Sequence, residues 1–322
     1  MPHKYNADRR HRIPRARYKV TNWRDYEAGL RKRGSLMIWF SEEAVTAWRA
    51  APRTTPGGQA RYSDLAIETS LILRTVFHQP LRQTEGLVGS LLELMRLDLP
   101  VPDHSTLSRR SRTLTVAPQA RTSGGPVHLL VDSTGVKLSG PGEWLVEKHG
   151  TQRRRAWRKL HLAVDAKTGT IVASTLTTKE VDDAAELGPL LDQIEEPLAA
   201  VIADGAYDQD RVYDDVAEHS PEAVVIVPPR STAVLSASTE TDPTQRDRHI
   251  QVIAEQGRMG WQRTSGYNAR AGVEGTMSRY KRIIGDTLRS HTRPAQEVET
   301  RIAVTVLNRM FDLGRPKSVR TA

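Results

Sequence analysis

The feature that most restricts how this chain can fold lies after residue 126. There a succession of short apolar runs, each about one strand long, alternates with helical patterns. PVHLLVDSTGVKLSG reads as a buried strand, RKLHLAVD as a second and TIVASTLTT as a third, with DAKTG turning the chain between the last two. An amphipathic helix is predicted near 182–195, ending at Glu196-Pro197. A fully buried strand in LAAVIAD, a helix near 208–219 and a strand in AVVIVP at 223–228 follow. The polar stretch 231–247 is predicted to be a loop. Two helices, near 265–284 and 294–313, close the pattern, with Pro294 suited to a first helical turn and Gly314 to a C-terminal cap. The order β-β-β-α-β-α-β-α describes a three-stranded meander extended by crossovers, hence a mixed sheet covered by helices.

Upstream the pattern is helical. PRTTPGG at 52–58 breaks the chain after a helix-like segment near 41–50. From Ser63, residues Leu65, Ile67, Leu71, Ile72 and Val76 recur at helical spacing until Pro80, and Leu87, Leu91, Leu94 and Met95 mark a second helix over about 83–96. In LDLPVPDHSTLSRR, Pro100 and Pro102 stop one helix, and Asp103 or Ser105 can cap the next, which carries Arg109 and Arg110. This reads either as a helix-turn-helix with a polar recognition face or as a plain helical linker. RTSGGP at 121–126 separates it from the strand-rich part. The expected segments are a basic N-terminal arm (1–58), a helical, helix-turn-helix-like region (59–121) and an α/β domain (122–322).

Charge is distributed unevenly over the 322 residues. The formal net charge is +9, and residues 1–33 alone carry 11 basic side chains, among them Arg9, Arg10 and Arg12, against three acids. A solvated tail would account for this, but the interleaved Tyr5, Tyr18, Trp23 and Tyr26 favour contact with nucleic acid. There is no cysteine, which excludes a disulfide framework, a thiolate zinc site and a cysteine nucleophile. No apolar run approaches the ~18 residues of a membrane span, and MPHKYNADRR lacks the apolar stretch of a signal peptide. These features lead us to expect a protein of the reducing cytoplasm with no membrane partner.

Three acids stand out by position. Asp132 interrupts an apolar strand, where a charge is expensive unless paired or metal-bound. Asp204 ends LAAVIAD, and the carboxyl ends of strands in open α/β sheets are where ligands gather. Glu274 shares one helical stripe with Tyr267, Arg270 and Lys281 if 267–281 is continuous α-helix. A surface salt-bridge face would also explain that stripe. Three carboxylates converging at one sheet edge would instead offer hard oxygen ligands suited to magnesium. Two such ions ~4 Å apart serve in-line displacement at phosphorus, with Arg270 and Lys281 on phosphate oxygens. Other acids have simpler readings: Asp165 as a turn residue, Asp208 as a helix cap, and Glu180, Asp182 and Asp183 at a helix start. Arg153, Arg154 and Arg155 lie between two strands, as a solvated loop or a loop binding the DNA backbone. His161 reads as a hydrogen-bonded core histidine, and Trp157 and Trp261 as packing residues, with stacking on an unpaired base as the alternative.

VDSTGVK around Asp132, WRKLHLAVD-x-x-TG, IADGAYD around Asp204 and the spacing Tyr267-x2-Arg270-x3-Glu274-x6-Lys281 resemble the DDE transposases of bacterial insertion sequences, most closely the large insertion-sequence-five family. LNRM at 307–310 and LPVPDHSTLSRR add to the resemblance, which runs from about 60 to 315. It implies an RNase H-like catalytic domain with Asp132, Asp204 and Glu274 as the catalytic and metal-binding triad. Two Mg2+ ions would be the cofactors, with Mn2+ able to substitute. It further implies cleavage at the element's ends and transfer of the freed 3′ ends into target DNA. Tyr267, Arg270 and Lys281 would hold the terminal phosphates. The expected partners are double-stranded DNA (terminal inverted repeats and target) and a second copy of the chain, in a bacterial, nucleoid-associated setting. Two other readings are a nuclease of the same fold that does not join ends, and a non-catalytic DNA-binding derivative.

Overall fold

Strand β2 (Val127–Leu138) organises the structure, a computed structural model that describes residues 17–54, 56–117, 124–138 and 157–321. Successive side chains in a strand point to opposite faces, and β2 uses both. Val127, Leu129 and Val131 enter one apolar cluster, while Leu130 and Val136 enter another on the far side. Burial on both faces is why the run reads as almost continuously apolar.

β2 pairs antiparallel with β3 (Trp157–Asp165), and β3 pairs antiparallel with β4 (Ile171–Thr178). On the other side β2 is parallel to β5 (Leu198–Ile202), and β5 is parallel to β6 (Val224–Ile226). A two-residue strand, β7 (Thr287–Leu288), joins β2 at its far end. The six-stranded order β4-β3-β2-β5-β6, with β7 on β2, is the expected mixed, RNase H-like sheet. The helices Leu187–Leu191 and Asp210–His219 cover one face through Leu187, Leu190, Val212 and Val216. The helices Ala271–Ile283 and Arg293–Asp312 cover the other, through Val273, Met277, Tyr280, Ala303 and Leu307.

The upstream helices fall close to expectation at Glu42–Thr46, Asp64–Val76, Leu81–Leu94 and His104–Arg110. Ser63 caps the second of these at Ala66 N (3.1 Å). Asp103, not Ser105, caps the last, accepting from Ser105 N (3.0 Å) and Thr106 N (2.9 Å). The Pro-rich connection is tied down by the indole of Trp48 donating to Pro100 O and the hydroxyl of Tyr62 to Val101 O.

Three elements differ from the sequence reading. The helix predicted over 182–195 shrinks to a 3-10 turn, Asp183–Glu186, followed by the five residues Leu187–Leu191. Pro189 has no amide hydrogen to donate, so an α-helix cannot run through it from 182. The predicted loop 231–247 ends early, because a helix over Gln245–Thr264 begins inside it. Its signal was present: Thr244 and Asp247 form a reciprocal capping box. Gly257, at φ 70°, breaks that helix near its middle. Finally, the helix predicted from 265 starts only at Ala271, preceded by a 3-10 turn, Tyr267–Arg270.

Two compact units are present. One comprises Phe40–Asn308 and so contains the sheet together with the upstream helices. The other comprises the described residues of Met1–Trp39 and Arg309–Ala322. The segment boundaries read at 58 and 121 do not coincide with the edges of these units. In the smaller unit β1 (Arg17–Val20) pairs antiparallel with β8 (Ser318–Thr321), bringing distant parts of the chain together. No helix among the described residues is long and apolar enough to cross a membrane.

The capping box generates a stability prediction. Thr244→Ala removes the side-chain acceptor at Asp247 N (3.1 Å) and should cost about 1 kcal/mol in urea denaturation. Asp247→Ala should cost more, because that carboxylate also accepts from Ser236 N (2.8 Å) and Ser236 Oγ (2.7 Å).

Candidate active site

β2 is longer than the strands beside it. Its ladder with β5 ends at Leu130, and its pairing with β7 begins only at Lys137. Between Val131 and Val136 that edge carries no strand among the described residues. This opening lies where the meander β2-β3-β4 departs to one side and the crossover to β5 to the other, the switch point at which α/β sheets admit ligands.

Three carboxylates meet at the opening. Asp132 points from β2 toward the face covered by the C-terminal helices. Asp204 follows β5 by two residues and turns back to accept from Ala206 N (2.9 Å). Glu274 stands in the first turn of Ala271–Ile283, where the helix dipole favours negative charge. The helix comes close to β2 because residue 272 is glycine: a Cβ there would lie 2.9 Å from Leu130 Cδ1.

The hub is Arg270. Its guanidinium lies 2.7 Å from Asp132 Oδ2, 2.6 Å from Glu274 Oε1 and 3.7 Å from Asp204 Oδ2. Burial disfavours the guanidinium's charge, but the three carboxylates and Tyr267 outweigh it and raise the pKa above its usual value. For Asp132 burial wins and pushes the carboxyl up, although Arg270 and the amide of Ser133, donating at 2.8 Å, both favour its charged form. Tyr267 and Arg270 align through the 3-10 turn, not through a continuous α-helix as the stripe assumed. Side chains three apart eclipse in that geometry. Tyr267 packs on buried Trp261, with ring centroids 5.1 Å apart. The indole of Trp261 donates to His249 Nδ1 (2.9 Å). That fixes the proton of His249 on Nε2, which donates to Val225 O (2.7 Å). Trp261 is therefore a packing residue. Lys281 is exposed two helical turns beyond Glu274, about 10 Å along the axis.

A bracket that the sequence reading missed holds the two aspartates in register. Asp183 accepts from Lys159 Nζ (2.9 Å) and from Ser133 Oγ (3.0 Å), so it grips β2 one residue beyond Asp132. Neighbouring Asp182 accepts from Gln209 Nε2 (2.6 Å), which also donates to Ala206 O (3.2 Å) in the turn that Asp204 caps. Asp183 is thus not simply an acid at a helix start. Alternation along β3, which sends Lys159 and His161 to the same face, was the available signal. His161 is fully buried and shares a hydrogen bond with Thr177 Oγ1 (2.8 Å), as a core histidine should. Asp165 is a turn residue, accepting from Lys167 N and Thr168 Oγ1. Asp208 is not a helix cap. Its fully buried carboxylate pairs with Arg246 through Nε (2.7 Å) and Nη2 (3.1 Å). Burial alone would raise its pKa, but Arg246 and the amide of Arg230 outweigh this and hold it below the usual carboxylate range.

The donor set suits a hard divalent cation in chemistry: three carboxylates, no nitrogen or sulfur. Tyr207 adds a buried hydroxyl without a hydrogen-bond partner, within electrostatic reach of Asp132, Asp183 and Asp204. The spacing of the acids, however, is that of a guanidinium cage. Among the described residues no three His, Cys, Asp or Glu side chains are grouped as a metal ion would need.

The remaining basic residues are divided. Arg110 is engaged inward, with Tyr62 O (3.3 Å) and with Asp64, whereas Arg109 is exposed and touches only its neighbour Thr106 Oγ1 (3.1 Å) among the contacts described. Arg9, Arg10, Arg12, Arg153, Arg154 and Arg155 lie outside the described residues. Trp157 is partly exposed at the start of β3.

A mixed α/β sheet with three acids gathered at its switch point is the architecture expected of an RNase H-like fold. Two family models, each described as a transposase DDE domain, match residues 31–141 and 123–309. The second spans more than half of the chain, and the chain belongs to that family; it is an enzyme of the transposase type. A cryo-EM structure of a piggyBac transposase synaptic complex with hairpin DNA is similar over 91% of this chain and 76% of that one, at 11% identity and a TM-score of 0.41.

The bracket yields a second prediction. Asp183→Ala leaves the mostly buried ammonium of Lys159 without its counter-charge and with the neutral acceptor Val181 O (2.7 Å), for a loss of roughly 2–4 kcal/mol. The double change Lys159→Met, Asp183→Leu should unfold at a higher urea midpoint than Asp183→Ala alone.

Proposed function

We propose that the chain cleaves DNA at the ends of an insertion sequence of the insertion-sequence-five type and joins the freed 3′ ends to target DNA. The observation that carries this reading is the convergence of Asp132, Asp204 and Glu274 on the single guanidinium of Arg270. A surface ion-pair face would not draw acids from β2, the end of β5 and a C-terminal helix to one point.

In this reading Asp132, Asp204 and Glu274 would hold two Mg2+ ions once Arg270 gives up its carboxylate contacts, with Mn2+ able to replace them. The ions, when bound, polarise the scissile phosphate and lower the pKa of an attacking oxygen. The side chains supply the rest. Arg270 keeps three carboxylates close together that would otherwise repel one another. As DNA arrives, the planar fork of the guanidinium can trade carboxylate oxygens for phosphate oxygens, since it binds both bidentately. Lys281, exposed on the same helix as Glu274, is assigned to phosphate contact. Tyr267, packed on Trp261, interacts electrostatically with Arg270 and favours its charged form. Water attacks first, and the released 3′ hydroxyl then attacks target phosphorus, so no covalent enzyme intermediate is required. Arg109, Arg153, Arg154, Arg155, Arg9, Arg10 and Arg12 are assigned to duplex contacts, as is the helix-turn-helix-like region. Two element ends processed together call for two copies of the chain on DNA.

Asp132→Asn, Asp204→Asn and Glu274→Gln should each reduce strand cleavage at least a hundredfold in Mg2+ while binding of end-containing duplex persists. Wild-type cleavage by Asp132→Asn would sink the assignment. Cleavage without any joined product from a pre-cut end would reduce the activity to hydrolysis alone. The DNA-bound complex should have the mass of at least two chains by light scattering.

A further inference from the structure

In the smaller unit, β1 (RYKV) and β8 (SVRT) form a two-stranded ribbon with register Arg17↔Thr321, Tyr18↔Arg320, Lys19↔Val319 and Val20↔Ser318. Seven of its eight residues are exposed and none is buried. An isolated strand pair of this length is marginally stable in water, and this one buries no core that would stabilise it. Specific contacts at its base nevertheless hold it together. Asn22 donates from Nδ2 to Arg315 O (2.9 Å) and accepts at Oδ1 from Lys317 N (2.7 Å). Thr21 donates to Lys317 O from both its amide (2.8 Å) and its hydroxyl (3.0 Å). The helix Trp23–Arg33 is locked beside them: a Cβ on Gly29 would lie 2.5 Å from Leu313 O, so only glycine permits that approach. Arg33 donates to Gly314 O (2.8 Å). Such anchoring around a strand pair with no apolar face points to presentation of the ribbon rather than to stability.

The ribbon presents positive charge. Residues 17–20 and 317–321 contain Arg17, Lys19, Lys317 and Arg320 and no acid. Alternation sends Arg17 and Lys19 to one face and Arg320, beside Tyr18, to the other, so both faces are cationic. A two-stranded ribbon fits the major groove of B-DNA, and side chains leaving both its faces reach the phosphates on both rims.

We propose that the β1–β8 ribbon is a DNA-binding element that enters the major groove of the duplex, with Arg17, Lys19, Lys317 and Arg320 on phosphates. This rests on the reading of duplex DNA as the partner, and adds the C-terminal strand, to which the sequence assigned no role.

The test uses the full chain, fluorescently labelled end-containing and scrambled duplexes, and a salt series. Converting Arg17, Lys19, Lys317 and Arg320 to Gln should weaken binding to both duplexes at least tenfold and flatten the log Kd–log salt slope by about 3–4. Asn22→Ala keeps the four cations but unties the base of the ribbon, and should weaken binding several-fold. Methylation of guanine N7, a major-groove atom, should impair wild-type binding and impair the fourfold variant less. Unchanged affinity and slope in the fourfold variant would overturn the proposal. So would weakening by the fourfold variant with none from Asn22→Ala, which would leave charge without a ribbon. Failure of the wild-type chain to bind any duplex would instead strike the underlying DNA reading. Thermal melting of each variant beside wild type identifies any that does not fold, and Asn22→Ala carries the test if the fourfold variant is that one.

Discussion

The structure turns on one guanidinium. Asp132, Asp204 and Glu274 are separated by 72 and 70 positions along the chain, and carboxylates brought together repel. Arg270 makes their assembly tolerable by facing all three at once. It is itself largely buried, as is Asp132, so these two depend on each other, while Asp204 and Glu274 keep contact with solvent. The architecture around it keeps that mutual dependence intact. Gly272 lets the acid-bearing helix come close to β2, the 3-10 turn eclipses Tyr267 and Arg270, and the Trp261–His249–Val225 chain immobilises the ring on which Tyr267 rests.

The other face of the sheet serves the same site from behind. Asp132 and Ser133 are adjacent in sequence but point to opposite faces. The first meets Arg270 and the second meets Asp183. Asp182 and Asp183 therefore connect β2 to the turn after β5, where the ladder between those strands has already ended. An opening in a sheet is a place where strands can drift apart. Here side-chain hydrogen bonds replace the missing backbone ones.

Much of this architecture was legible in the residues themselves. Five of the six strands of the sheet announced themselves as apolar runs, because both faces of the sheet are covered. Asp132 stood out because a charge in such a run requires a partner. Helix starts were read at Ser63 and Asp103, where a side-chain cap marks them. The misses have physical causes too. Pro189 was passed over inside an amphipathic pattern, so a five-residue helix was read as a long one. The helix Gln245–Thr264 was hidden because it opens on the polar run QRDRH and is broken at Gly257, so that only the Thr244–Asp247 cap betrayed it. Asp208 was read as a cap because a local partner is the economical assumption, whereas its partner Arg246 lies 38 residues away.

By itself the sequence determined the alternation of strands and helices, the acidic residues that must find partners, and the cationic N-terminal stretch. Those are properties of composition and spacing, carried by short-range preferences that any conformation of the chain shares. Tertiary structure alone decided that Arg270 would be the common partner of three acids and that Asp183 would brace β2. It also decided that residues 17–20 would pair with 318–321. Each of these is a meeting of groups distant in the chain, and a one-dimensional pattern holds no information about which distant groups meet until packing brings them together.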